Sequence, residues 1–239
     1  MIYFIRSLIF SAGYALLTMV YGTLSLFLFF IPRKIRYSII VSWTHIVIFW
    51  LRITCGIRYQ IIGQENLPSP ITSHIVLSKH QSTWETLFLQ GFFAPGATVL
   101  KRQLLKIPFF GWGLRGLAPI AIDRDNPREA LKQVKTQSIK RLNQAYNIIL
   151  FPEGTRTKVG QKGKYARSGA DIAIAAKKNI IPIAINAGHL WTPGQFIKTP
   201  GLITVSIGPI ISGEGKNSKT LIQDVETWIE TEMQRINQL

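Results

Sequence analysis

The run Ile148-Ile149-Leu150-Phe151-Pro152-Glu153-Gly154-Thr155-Arg156 decides the fold, because it joins a short apolar strand to a polar turn. Five further short runs rich in Ile and Val predict strands, at residues 57–62, 71–77, 118–122, 180–185 and 202–207. Helix-like segments separate several of these runs. Strands that alternate with helices predict an α/β domain with a mixed, largely parallel sheet flanked by helices.

Three segments between and after these strands predict helices. Asn126-Pro127-Arg128-Glu129 combines a capping Asn, a Pro at the first helical position and a Glu that closes the box, so a helix is expected from there to about Gln144. Residues 169–177 predict a second helix and residues 218–236 an amphipathic C-terminal one. We expect residues 56–239 to form one α/β catalytic domain.

The charge balance of the chain is strongly basic, since 28 Lys and Arg against 12 Asp and Glu give a net charge of +16. A body this basic attracts anions such as a membrane surface, an acidic protein or nucleic acid. The sequence has no long Lys/Arg block and no repeat that interleaves cations with aromatics, so nucleic acid is not expected as a partner. The single cysteine, Cys55, excludes an internal disulfide and a CxxC-type metal cluster.

The N-terminus predicts membrane attachment. Residues 8–31 contain no charge and are long enough to cross a hydrocarbon core of about 30 Å. Three basic residues follow between positions 33 and 36, which places the body on the cytoplasmic face of the inner membrane. The apolar stretch 37–51 is shorter and suits an interfacial or re-entrant helix better than a span. We expect residues 1–55 to be a membrane-embedded two-helix segment, which either crosses or lies in one leaflet.

His80 and Glu85 are the first candidates for chemistry, because they follow a predicted strand at a spacing of five. With His80 on the loop and Glu85 in the first turn of the next helix, the carboxylate can bond one imidazole nitrogen. That bond fixes the tautomer and leaves the other nitrogen free to accept a proton. The alternative is local: Ser82-Thr83-Trp84-Glu85 has the form of a capping box, in which Glu85 satisfies only a backbone donor.

The turn 151–156 is the second candidate, because open α/β sheets bind ligands where their strands end. Pro152 stiffens the turn, Gly154 allows close backbone approach, and Arg156 can hold phosphate oxygens in a bidentate pair. Lys101 and Arg124 follow apolar runs and add cations. A solvated surface turn and a local ion pair of Asp123 with Arg124 explain these charges equally well.

In order along the chain, His80-x4-Glu85, Gly116-x6-Asp123-Arg124, residues 151–156 and Ile181-Pro182-Ile183 resemble the four-block signature of the glycerolipid acyltransferase family. The resemblance covers about Gly56 to Gly208. One departure is that the family's commonest first block ends in Asp, whereas this chain has Glu85.

The resemblance implies acyl transfer from a thioester of acyl carrier protein or coenzyme A to the position-2 hydroxyl of lysophosphatidic acid, giving phosphatidic acid. His80 is then the general base and Glu85 orients it. Direct attack by the hydroxyl needs no acyl-enzyme, metal or cofactor. The substrate-binding residues implied by the resemblance are Lys101, Arg124, Glu153, Gly154, Thr155 and Arg156.

Two alternatives remain open at the level of sequence. One keeps the chemistry and changes the acceptor to another lysophospholipid or an aminoacyl lipid. The other is a non-catalytic module that binds anionic membrane lipids, for which the basic charge and the apolar N-terminus suffice. In that module His80 and Glu85 are incidental.

Overall fold

A computed structural model of the chain describes residues 1–123 and 125–238. The strands are β1 (Ile57–Ile62), β2 (Ile75–Ser78), β3 (Gly96–Lys101), β4 (Ile120–Ile122), β5 (Asn147–Leu150), β6 (Ile180–Ile185) and β7 (Gly201–Ile207). The helices are α1 (Ile2–Phe27), α2 (Arg33–Cys55), α3 (Trp84–Phe92), α4 (Phe110–Gly116), α5 (Pro127–Leu142), α6 (Ser168–Ala176) and α7 (Ser218–Ile236).

The strands form one sheet in the order β1-β7-β6-β2-β5-β3-β4. Neighbouring strands are parallel except β6 and β7, which are antiparallel. The predicted α/β fold with a mixed, largely parallel sheet is therefore confirmed. The carboxyl ends of β2, β5, β3 and β4 meet at one edge of the sheet, where parallel sheets bind ligands.

Two strands begin later than the sequence predicts. The expected strand 71–77 starts only at Ile75, because the Asn147 side chain donates to Ile71 O (2.8 Å) and accepts from His74 N (3.1 Å), so this backbone needs no strand partner. The expected strand 118–122 starts at Ile120, since Ala118 has φ +53°, which no extended strand allows.

Two elements have no counterpart in the sequence prediction. β3 begins Gly96-Ala97-Thr98 and contains one Val and no Ile, while α4 contains three glycines that obscure its helical pattern. The helix expected from Asn126 ends at Leu142, and its Asn126 side chain caps Glu129 N as predicted. The C-terminal helix has the predicted bounds.

Helices cover both faces of the sheet, so the central strands β2, β5 and β6 are buried throughout. One core cluster lies between the sheet and α5, α6 and α7, and includes Val134, Ala173 and Val225. A second cluster lies on the opposite face and includes Phe10, Val47 and Phe88, from α1, α2 and α3. The N-terminal helices thus take part in the core of the α/β body.

The first two helices are both long and apolar enough to cross a membrane. The second is longer than the predicted stretch 37–51, because its basic flanks are also helical. α1 packs on α2 and α4 and keeps an apolar face exposed. Gly22 permits this approach, since an added Cβ would overlap the carbonyl of Phe109. The exposed apolar residues of α1 include Phe4, Leu8, Leu16, Met19, Val20, Leu26 and Phe27. This surface suggests membrane association.

Tyr37 connects α2 to the sheet through hydrogen bonds. Its buried hydroxyl donates to Gly96 O at 3.0 Å and accepts from Gly96 N and the Gln90 side chain, each at 2.7 Å. Residues on both sides of position 55 therefore share one core. The division of the chain into residues 1–55 and 56–239 remains a prediction from composition.

We expect Tyr37→Phe to lower the free energy of unfolding by about 1–3 kcal/mol, because it leaves buried Gly96 N without its acceptor and removes one of the two acceptors of the Gln90 amide. The measurement is denaturant unfolding of the detergent-solubilised protein. Tyr3→Phe is the matched control, since Tyr3 is exposed on α1. Equal stability of the two variants would contradict a fastening role for Tyr37.

Candidate active site

His80 lies just beyond β2 and before α3, on the loop where the sequence predicts it. Its Nδ1 is 2.9 Å from Glu85 Oε1, and its ring stacks on Phe151 with centroids 4.0 Å apart and planes 20° apart. Within residues 1–123 and 125–238, no hydrogen bond occupies Nε2. The ring is thus held by one nitrogen and one face, while the second nitrogen remains available.

Glu85 lies in the first turn of α3 and is almost completely buried. Besides His80 Nδ1, its Oε1 accepts from the backbone N–H groups of Gln81 and Ser82. Glu85 therefore both bonds the imidazole and satisfies backbone donors at the helix start. Because an ionised carboxylate only accepts, Nδ1 of the neutral ring carries the proton and Nε2 has an unshared lone pair.

The loop after β5 is hydrogen-bonded to the backbone of His80. Glu153 is buried, and its Oε2 accepts from His80 N at 3.2 Å, while Thr157 N donates to His80 O at 2.8 Å. Gly154 has φ +69°, a left-handed conformation that favours glycine, at the exposed tip of this loop. Glu153, which the sequence groups with the substrate-binding residues, thus contacts the His80 backbone.

Two of the predicted cations lie in the same cavity as His80. Lys101 is at the end of β3, and Arg156 donates through Nε to Ser82 O at 3.1 Å, which ties it to the start of α3. Gly154 and Thr155 also line this cavity. Arg124, predicted to assist, lies outside the described residues.

The cavity has a volume of about 1000 Å³, at the upper end of the range for small-molecule sites. Its apolar walls come from strands and helices of the body and from the N-terminal helices. These apolar lining residues include Trp43, Leu100, Leu104, Phe110, Ile122, Leu131, Val134 and Leu150. A base and two cations beside a long apolar wall can hold a molecule with an anionic head and an aliphatic chain.

No group of three His, Cys, Asp or Glu side chains among the described residues is arranged to hold a metal ion. The geometry instead brings together a base, a carboxylate and cations.

Known proteins resemble this chain over most of its length. The family model described as Acyltransferase matches residues 58–186. A 1-acyl-sn-glycerol-3-phosphate acyltransferase of Pseudomonas aeruginosa is 43% identical over 238 residues, which are 98% of this chain and 92% of that protein. This chain belongs to the acyltransferase family.

More distant relatives also match this chain. The 1-acyl-sn-glycerol-3-phosphate acyltransferase of Saccharomyces cerevisiae is 28% identical over 170 residues, 69% of this acyltransferase and 55% of the yeast protein. The crystal structure of the 1-acyl-sn-glycerophosphate acyltransferase of Thermotoga maritima matches with a TM-score of 0.82 at 26% identity, covering 98% of this chain and 95% of its own. The family resemblance inferred from the motifs is confirmed.

Sequence reasoning missed two parts of this acyltransferase's site. Tyr14, Trp43 and Thr44 line the cavity from α1 and α2, which the sequence assigns to membrane attachment alone. Lys79, directly before His80, is buried beneath the site. A charged residue at the end of an apolar strand was the only available signal for Lys79, and no local pattern pointed to the other three.

We expect Glu85→Gln to reduce acyl transfer by about 10²- to 10⁴-fold, because the neutral amide lacks the negative charge that the carboxylate places beside His80 Nδ1 to stabilise a protonated imidazole. The measurement is thiol release from an acyl thioester in the presence of a lysolipid. Glu65→Gln, on a surface turn, is the matched control. Activity of Glu85→Gln equal to the parent's would remove the carboxylate from the reaction.

Proposed function

We propose that this acyltransferase moves an acyl chain from a thioester to the sn-2 hydroxyl of lysophosphatidic acid and forms phosphatidic acid. The observation that carries the proposal is that His80, Lys101 and Arg156 line one cavity with an extended apolar wall. The relatives from Pseudomonas aeruginosa and Thermotoga maritima are named for this acceptor.

His80 Nε2 takes the proton of the sn-2 hydroxyl as the hydroxyl oxygen attacks the thioester carbonyl carbon. The new C–O bond forms, the C–S bond breaks, and the leaving thiolate takes the proton back from the imidazolium. Glu85 stabilises that imidazolium through Nδ1. The sole thiol, Cys55, is buried at the end of α2 and takes no part.

Lys101 and Arg156 bind the acceptor phosphate. Arg156 uses Nε for Ser82 O, so its two terminal nitrogens remain for phosphate oxygens. Gly154 and Thr155 shape the approach to these cations, and Arg124 assists them. Glu153 contributes indirectly, by holding the His80 backbone. No metal or organic cofactor takes part in this sequence of steps.

The protein works at the cytoplasmic face of the inner membrane, attached through α1 and α2. Drawing a lipid chain into water costs about 0.8 kcal/mol for each exposed CH₂ group. Because Tyr14 and Trp43 of the attached helices form one wall of the cavity, a lysolipid reaches the base without leaving an apolar environment. The donor is acyl carrier protein or coenzyme A, both acidic and attracted by the +16 charge.

The test is phosphatidic acid formation by the purified protein, with lysophosphatidic acid vesicles and an acyl thioester. The parent should form product and His80→Ala should not, because the variant lacks the base. His189→Ala is the matched control, since His189 is exposed on a short turn outside the cavity.

Other results would redirect the proposal. Acylation of a different lysophospholipid or an aminoacyl lipid would keep the chemistry and change the acceptor. Vesicle binding by parent and His80→Ala alike, with no acylation of any lipid offered, would favour a lipid-binding module.

We expect Arg156→Gln to raise the KM for lysophosphatidic acid about ten- to a hundred-fold, as expected for loss of a charged hydrogen bond. The KM for monoacylglycerol, which has no phosphate, should rise far less. Lys158→Gln is the control, since Lys158 is exposed two positions further along the same loop. Equal effects on both acceptors would show that Arg156 does not contact the phosphate.

A further inference from the structure

Lys79 carries a positive charge into the interior of the protein directly before His80. Its side chain is only 1% exposed. A buried ammonium group is stable only if its three N–H donors all find acceptors. Lys79 Nζ donates to Glu153 Oε1 and Glu230 Oε1, each at 2.8 Å, and to Gln161 O at 3.1 Å. All three donors are therefore used, two of them on carboxylates.

The acceptors of Lys79 come from separate parts of the chain. Glu153 follows β5, Gln161 precedes α6, and Glu230 belongs to the C-terminal helix α7. Tyr165 adds a further bond, since its hydroxyl donates to Glu230 Oε1 at 2.8 Å. Burial and then the bond to Glu230 raise the pKa of Tyr165, so its phenol remains a donor. Lys79 thus joins α7 to the loop after β5.

A hydrogen-bonded cluster is thus formed by Lys79, Glu153, Gln161, Tyr165 and Glu230. This cluster also holds the backbone of His80. Glu153 uses Oε1 for Lys79 Nζ and for Gly163 N (2.9 Å), and Oε2 for His80 N (3.2 Å). The orientation of the carboxylate that holds His80 therefore depends on Lys79, and the position of Lys79 depends on Glu230. Glu85 and Phe151 fix the ring, whereas this cluster fixes the peptide that carries it.

We propose that Lys79 and Glu230 are positioning residues for the proposed acyl transfer, acting through Glu153 on His80. Neither is among the residues lining the cavity, so neither contacts the substrate. By this inference the C-terminal helix is part of the catalytic apparatus, although it lies outside the matched family region at 58–186. The role rests on the proposed function of His80 as the base.

Glu230→Gln is the first test, because it removes one charge and nearly preserves the shape of the side chain. We expect kcat to fall about ten- to a hundred-fold, as for a small displacement of a catalytic group, while the KM for the acceptor changes by less than about two-fold. Glu226→Gln is the matched control: it lies one turn earlier on α7 and pairs with exposed Lys162, so kcat should match the parent's.

Tyr165→Phe is a milder second variant, since it removes only the phenolic donor to Glu230. It should lower kcat less than Glu230→Gln does, again without a matching change in KM. The double variant Lys79→Met with Glu230→Gln should be no slower than Lys79→Met alone, because residues that act as one unit are not additive.

Three results would overturn the inference. One is a kcat for Glu230→Gln, per folded molecule, equal to the parent's. Another is a rise in acceptor KM as large as the fall in kcat. The third is full additivity in the double variant. A parent protein that acylates no lipid would overturn the proposed function itself and the positioning role with it, and the parent assay run alongside distinguishes that case.

Discussion

The parallel pairing of β2 with β5 is the constraint on which the site depends. Leu77 lies opposite Leu150 in this ladder, so the two strands end together at the same edge of the sheet. His80 follows one strand and the 151–156 turn follows the other. Segments some seventy positions apart in sequence are thereby brought close enough for Glu153 and Thr157 to bond the His80 backbone. A shift in the register of this ladder would separate His80 from the 151–156 turn.

The charges around the site divide into two groups according to burial. The Oε1 atom of buried Glu85 and both oxygens of buried Glu153 accept from internal donors, and buried Lys79 is matched by carboxylates. Lys101 and Arg156 remain exposed at the cavity without a carboxylate partner among the described residues. The site therefore presents a positive potential to its ligand although carboxylates are packed directly behind it, which favours an anionic head group.

Local chemistry explains which parts of this structure can be predicted from sequence. The capping signal at Asn126, the loop position of His80 and the first-turn position of Glu85 follow from residues within a few places of one another, and each is found. The positions of Lys79 and Tyr14 follow from elements that meet only in the folded chain, so no local pattern reveals them. β3 is missed for a different reason: it opens with Gly96 and Ala97, which are weak strand formers, and its pairing with β5 and β4 compensates for them.

The edge strand β1 has consequences for how the protein is made. Its ladder partner is β7, and the bond between Gln60 and Thr204 joins residues 144 positions apart. During synthesis β1 therefore emerges with both edges unpaired. It has no strand partner until β7, the last strand, has been translated. Unpaired strand edges can form hydrogen bonds with other chains and so promote aggregation. The preceding α2 packs on β1 and leaves the ribosome just before it. This helix is therefore available to cover β1 while the last strand is translated.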